Sequence, residues 1–169
     1  MNPANNHSFF ADFINSLTED LDSNLTIKEA KPELIANFAK IYEESKNTKK
    51  ALIFSVCVKE QKEWSKNFSA FGLKTYVAEK LGGVTLEGLK TVEYQLILIN
   101  VDSIFNQVDK MFSYIRSEDS KNKDSLVFLV NNNEEHLSIL EKSHFDENTT
   151  LLSQSRKLEK KEELGNASA

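Results

Sequence analysis

Glycine and proline are scarce in this chain, five Gly and two Pro among 169 residues, about a third of average usage. So few punctuators exclude a glycine-rich phosphate cradle and a turn-dense all-β fold as the basis of function, and favour long regular elements. Cysteine is scarcer still. The single Cys57 excludes an intramolecular disulfide framework and a Cys-rich zinc site, and fits a reducing compartment. No apolar run is long enough to cross a bilayer, and Met1 to Asp20 lack the basic and continuously apolar regions of a secretory leader. A cytoplasmic chain without membrane association is expected. Nucleic acid is not expected as a partner: 21 basic face 26 acidic side chains, net −5, with no basic stripe interleaved with aromatics. The remaining composition, 40% apolar and 28% charged, is that of one globular domain with a short appendage.

Periodicity divides the chain in two. Ser8 to Leu21 sets Phe9, Phe10, Phe13, Ile14 and Leu17 at helical spacing behind a Ser8 N-cap. After a polar stretch, Asp22 to Lys31, Pro32 opens a second helix with Leu34, Ile35, Phe38 and Ile41 on one face, ending near Ser45 to Thr48. From Ala51 short β-rich runs alternate with helical segments, the signature of βα units on a parallel sheet. The strands are expected at Ala51 to Val56, Lys74 to Ala78, Tyr94 to Ile99, Ser125 to Val130 and, more weakly, Thr149 to Leu152. Helices are expected at Glu60 to Phe71, Leu86 to Thr91, Ser103 to Arg116 and Glu134 to Lys142, with a charged final helix from Arg156 to Leu164. Residues 1–48 thus read as a helical extension, 49–164 as the α/β domain and 165–169 as a disordered tail.

Several residues in the second part carry a resemblance. Tyr94-Gln-Leu-Ile-Leu-Ile-Asn100, Ile115-Arg116 sixteen residues later, Phe71 to Val77 and Ser125 to Val130 resemble the third strand, the following helix end, the turn into the second strand and the fourth strand of the receiver domain of two-component response regulators. The resemblance implies a doubly wound, flavodoxin-like fold with a five-stranded parallel sheet, preceded here by the helical extension. It also implies where phosphoryl transfer would occur: a phosphoacceptor aspartate ending the third strand and a magnesium ion bound by acidic residues ending the first.

Every such position is substituted in this chain. The acceptor position falls on Asn100, the acidic positions on Val56 and Cys57, the hydroxyl position on Val130 and the lysine position on Gln154. An amide is a poor nucleophile and brings no negative charge to a hard cation, so no metal and no cofactor are expected. Asp102, two residues past Asn100, could be a displaced acceptor; it or Ser103 reads instead as the N-cap of the next helix.

The implied role is a pseudo-receiver, a non-catalytic interaction module in bacterial signalling that binds a protein partner independently of phosphorylation. The surface for it is expected on Phe9, Phe10, Phe13, Ile14 and Leu17 of the first helix and on His136, Leu137, Leu140 and Leu158 of the last helices. The first stripe must be buried by the domain or by a second copy. Two other readings remain. A helicase-like or nucleotide-binding α/β domain is suggested by Lys50 to Phe54, Gly72 to Tyr76 and Tyr94 to Leu98, which resemble the second motor domain of helicases, while Gly83 to Thr91 comes within one residue of a phosphate loop. Leu89 intrudes there, and no arginine-bearing motif follows. A structural oligomerisation subunit is the other. His136 and His144 lie eight residues apart, not the i, i+4 spacing of a helical metal pair.

Overall fold

The computed structural model describes residues 3–44 and 49–157. Among these residues six strands form one mixed sheet, flanked on both faces by six helices. In chain order these are α1 (Pro3–Ser16), β1 (Ser23–Glu29), α2 (Pro32–Glu44), β2 (Lys50–Phe54), α3 (Val58–Ala70), β3 (Lys74–Ala78) and α4 (Gly83–Thr91). They continue with β4 (Leu96–Asn100), α5 (Val108–Ile115) after a short 3-10 turn at Phe105–Gln107, β5 (Leu126–Asn131), α6 (Glu134–His144) and β6 (Thr149–Arg156). The strand order is β1-β6-β5-β4-β2-β3. Five strands from β2 onward are parallel; β1 pairs antiparallel with β6.

The sheet is therefore six-stranded and mixed, not the five-stranded parallel sheet expected. The additional strand lies in the stretch Asp22 to Lys31. Its signal is short: Leu25 and Ile27 alternate with polar residues, only Leu25 is buried, and two apolar positions make a weak period of two inside a polar stretch. The first helix also differs: it opens at Pro3, with Ser8 inside it, and stops at Ser16. Arg156 lies in β6, so the final helix cannot start there; the rest of that expected helix, Leu158 and the tail at 165–169 lie outside the described residues.

Each face of the sheet has its own core. On one, α1, α2 and α3 cover Ala51, Ile53, Leu96, Leu98, Leu126, Phe128, Val130 and Leu152. Phe38 of α2 is the hub, with ring centroids 5.2 Å from Phe10, 4.9 Å from Phe13, 5.1 Å from Phe71 and 6.1 Å from Phe128. Phe10, Phe13, Ile14 and Leu17 are buried here, and Phe9 packs against the cluster. The apolar stripe of α1 is covered by its own sheet, so residues 3–44 share the domain's core and are not a detached extension. On the other face, α4, α5 and α6 bury Leu52, Ile97, Ile99, Val127, Leu129 and Leu151. Buried on both sides, β4 and β5 read as continuous apolar runs.

Two polar hubs fix the end of the sheet where the parallel strands begin. Asn122, fully buried, donates from Nδ2 to the carbonyls of Leu89 and Val92, both at 2.7 Å, and accepts from the Tyr94 N–H at 2.7 Å and the Ser125 hydroxyl at 2.9 Å. Arg116 donates to the carbonyls of Asn122, Lys123 and Ser125 and pairs with Asp146 at 3.1 Å. Burial lowers the guanidinium's pKa, and Asp146 opposes that shift. The helix ends are simpler: Gly72, with φ 92°, closes α3 in the left-handed region that a residue without Cβ adopts freely.

Candidate functional site

Parallel strands end on one rim of the sheet, and helices that follow them start there, so side chains distant in sequence converge at that rim. The period of two places Asn100, the last residue of β4, on the same face as Leu96 and Leu98. The same period places Gln154 of β6 on the face of Leu152. The turn from β2 into α3 adds Ser55 and, one helical turn on, Glu60. Glu60 stands four and eight residues before Trp64 and Phe68, so helical geometry aims it at the sheet together with those core residues.

A hydrogen-bonded cluster results. Glu60 is 8% exposed and its carboxylate accepts from Ser55 Oγ at 2.7 Å, Asn100 Nδ2 at 2.9 Å and Gln154 Nε2 at 2.7 Å. Asn100 Nδ2 also stands 3.5 Å from Gln154 Oε1, and Gln154 Nε2 donates to Ser23 Oγ of β1 at 3.3 Å. Ser55 Oγ accepts from the Cys57 N–H, and its carbonyl from Gln61 Nε2. A buried carboxylate is tolerated only when its lone pairs are bonded; here one carboxylate braces the ends of β2, β4 and β6. Asn100 Oδ1 accepts from the Asp102 N–H at 3.1 Å, and Asp102 Oδ1 from the Asn132 N–H at 3.0 Å. Asp102 therefore ties the β4 loop to the β5 loop and does not cap a helix, since the 3-10 turn begins at Phe105. Desolvation of its carboxyl raises the pKa above the ordinary 3.8; the Asn132 N–H opposes this and the Glu60 charge adds to it. An open cleft of ≈ 370 Å³ lies over the cluster, with Asp22, Lys59, Asn132 and Arg156 among its lining.

The expected site residues are placed unequally. Asn100 and Gln154 meet across Glu60. Val56 is 59% exposed, Cys57 is exposed and lines the cleft over the cluster, and the residue of that turn whose side chain bonds Glu60 is Ser55. Val130 is buried in the core among α1, α2 and α3. The next residue, Asn131, is fully buried, its Oδ1 accepting from the Asn133 N–H at 2.7 Å and its Nδ2 without a partner. Glu60 and Ser55 are the residues that sequence reasoning missed. The signal was a charged side chain in register with Trp64 and Phe68.

The other candidates fall elsewhere. Leu137 and Leu140 are buried beneath α6 and present no surface. The His136 ring stacks on Phe105 at 3.7 Å; the His144 ring stacks on Phe112 at 4.5 Å and its Nε2 lies 2.6 Å from Asp109 Oδ1. Among the described residues no group of three or more His, Cys, Asp or Glu could hold a metal ion. Gly83 to Thr91 is helical throughout, and Lys90, in its last turn, pairs with Asp119 at 3.0 Å; this is not the loop geometry of a phosphate cradle. Among the described residues no helix is long and apolar enough to cross a membrane. Comparison of the chain with family models, with curated proteins and with solved structures found no match.

Proposed function

We propose that this chain is a degenerate receiver domain, working in the cytoplasm as a non-catalytic protein-interaction module of bacterial signal transduction, independent of phosphorylation. One observation carries the reading: counted from Lys50, the parallel strands lie in the order second, first, third, fourth, fifth, the flavodoxin-like order, and the rim position of the third strand's end is occupied by Asn100, bonded to Glu60. The antiparallel β1 is then an addition to that frame, and α1 and α2 cover sheet surface beside α3.

The rim chemistry supports the non-catalytic part. Phosphoryl transfer to a carboxylate needs a free nucleophilic oxygen, a divalent cation and groups that neutralise the charge that develops. Asn100 offers an amide whose nitrogen donates to Glu60 and whose oxygen accepts from Asp102. The carboxylate oxygens of Glu60 are taken up by Ser55, Asn100 and Gln154. The cluster joins three strand ends through neutral donors around one internal charge, an arrangement suited to holding one conformation. With β6 covered along its edge by β1, the partner surface on this reading is the flank of α6 around the half-buried His136 and the exposed Ile139.

The test is incubation of the full chain with acetyl phosphate and magnesium, read by intact mass. No phosphoryl adduct is expected. Stoichiometric, magnesium-dependent labelling would sink the proposal.

A further inference from the structure

We propose that the outer edge of β3 is a docking site for an extended acidic peptide segment, which would join the sheet as a further strand beside Lys74–Ala78. The inference concerns a different surface from α6 and does not depend on the receiver reading. In a parallel ladder alternate residues direct both backbone groups to the same neighbour. The Lys74 N–H donates to the Lys49 carbonyl at 2.8 Å and the Ala78 carbonyl accepts from the Ser55 N–H at 3.2 Å. Lys74, Tyr76 and Ala78 therefore serve β2, and Thr75 and Val77 turn their N–H and C=O groups outward. Among the described residues no strand lies beyond β3.

The two edges of the sheet differ. At the far edge, the pairing of β1 slips between Ile27 and Glu29, the kind of irregularity that discourages a further strand. The register of β3 with β2 is unbroken over five residues. Beside it a groove of ≈ 450 Å³ runs between β3 and α3, with Val77, 44% exposed, on its floor and Lys62, Lys66, Ser65 and Ser69 on its wall. Lys74, the first residue of the strand, and Lys80, two residues past its end, are both exposed. Of the nearby acids, Glu79 follows the strand, Glu63 holds the Asn67 amide at 3.1 Å, and Asp20 meets Lys66 at 3.4 Å in an exposed pair that water screens. The groove lining carries two lysines and no acid, on a chain whose net charge is −5. Backbone pairing would supply affinity, the small apolar floor would accept alternate side chains, and the lysines would select acidic residues.

The experiment is fluorescence anisotropy of the full chain with a labelled, amide-capped peptide of about seven residues alternating glutamate and valine, against a lysine–valine counterpart. Saturable binding of the acidic peptide alone is expected, weakening with salt. Val77→Pro removes an outward N–H and leaves Tyr76 and Ala78 paired with β2; it should weaken binding by at least about tenfold, with circular dichroism confirming the fold. The double variant Lys62→Glu/Lys66→Glu leaves the backbone untouched and should weaken binding similarly. On adding the peptide, the Thr75 and Val77 amides should gain protection from exchange. Absence of saturable binding, equal affinity for the two peptides, or undiminished binding by a folded variant would overturn the proposal.

Discussion

Replacing Asn100 with aspartate would put at the rim the residue type that phosphoryl chemistry would require, and the geometry around Glu60 sets the consequence. The 2.9 Å hydrogen bond from Asn100 Nδ2 to Glu60 Oε1 becomes a contact between two carboxyl groups. If both were ionised at about 3 Å, in surroundings of effective dielectric about 20, their repulsion would be roughly 5.5 kcal/mol. The pair lowers this by keeping one proton, which at about pH 7 costs roughly 4 kcal/mol for acids of ordinary pKa about 4, at about 1.4 kcal/mol per pH unit. The retained proton restores one hydrogen bond, so Asn100→Asp is expected to lose about 3–4 kcal/mol of stability at about pH 7. The folded pair then holds a proton that the unfolded chain releases above about pH 4, so stability falls as pH rises through that range. At about pH 5 the deficit should shrink by about 2.8 kcal/mol, to roughly 0.2–1.2 kcal/mol. Urea titrations of wild type and variant at the two pH values measure it, and adding Glu60→Gln to the variant should recover most of the loss by re-creating an amide–carboxylate pair. An equal deficit at both pH values, or none at the higher one, would refute the reasoning.

Other perturbations test the parts of the fold that hold the rim in place. Asn122→Ala strips partners from the Tyr94 N–H and the Leu89 and Val92 carbonyls in a fully buried site; a loss of about 3–5 kcal/mol is expected, read as a lower urea midpoint. Phe38→Ala empties the centre of the aromatic cluster between α1, α2 and β5 and should cost about 3–5 kcal/mol, with the near-ultraviolet dichroism reporting the loosened rings. Asp102→Asn keeps an oxygen for the Asn132 N–H and removes a carboxylate whose pKa burial raises. Wild type loses stability as pH rises through that raised value, so the variant should gain, by no more than about 0.5 kcal/mol because water screens the exposed side. The gain should vanish below the ordinary value of 3.8, and thermal melts across that range would show it.

How much of this was legible depends on where each residue's signal lies. Lys74–Ala78 is a strand with the bounds that its β-rich run suggests, and Pro32 marks the start of α2 as a helix-opening proline should. β1 carries the period of two, Asn24-Leu25-Thr26-Ile27-Lys28, but with only two apolar residues the alternation is too short to stand out within the polar stretch Asp22 to Lys31. The apolar residues of β6 end at Leu152; Ser153 to Arg156 stay in the strand by pairing with β1, a contact that no local pattern announces. The cover for the α1 stripe was open in the sequence between sheet and second copy, and is settled by long-range packing against Phe38 and Phe128. At the rim, Asn100 was visible from its strand. Glu60 was visible only as a carboxylate on the Trp64 and Phe68 face, and its partners Ser55 and Gln154 come from loop and strand ends that a linear reading cannot bring together.

We propose a receiver-like frame whose rim does not carry metal or phosphoryl chemistry. The most direct measurement is a titration of isotopically labelled full chain with magnesium and a beryllium fluoride mimic of a phosphoryl group, followed by amide chemical shifts. The account predicts no saturable change at Asn100, Asp102, Asn131 or Asn132. Saturable, magnesium-dependent shifts confined to those amides and to Glu60 would contradict it.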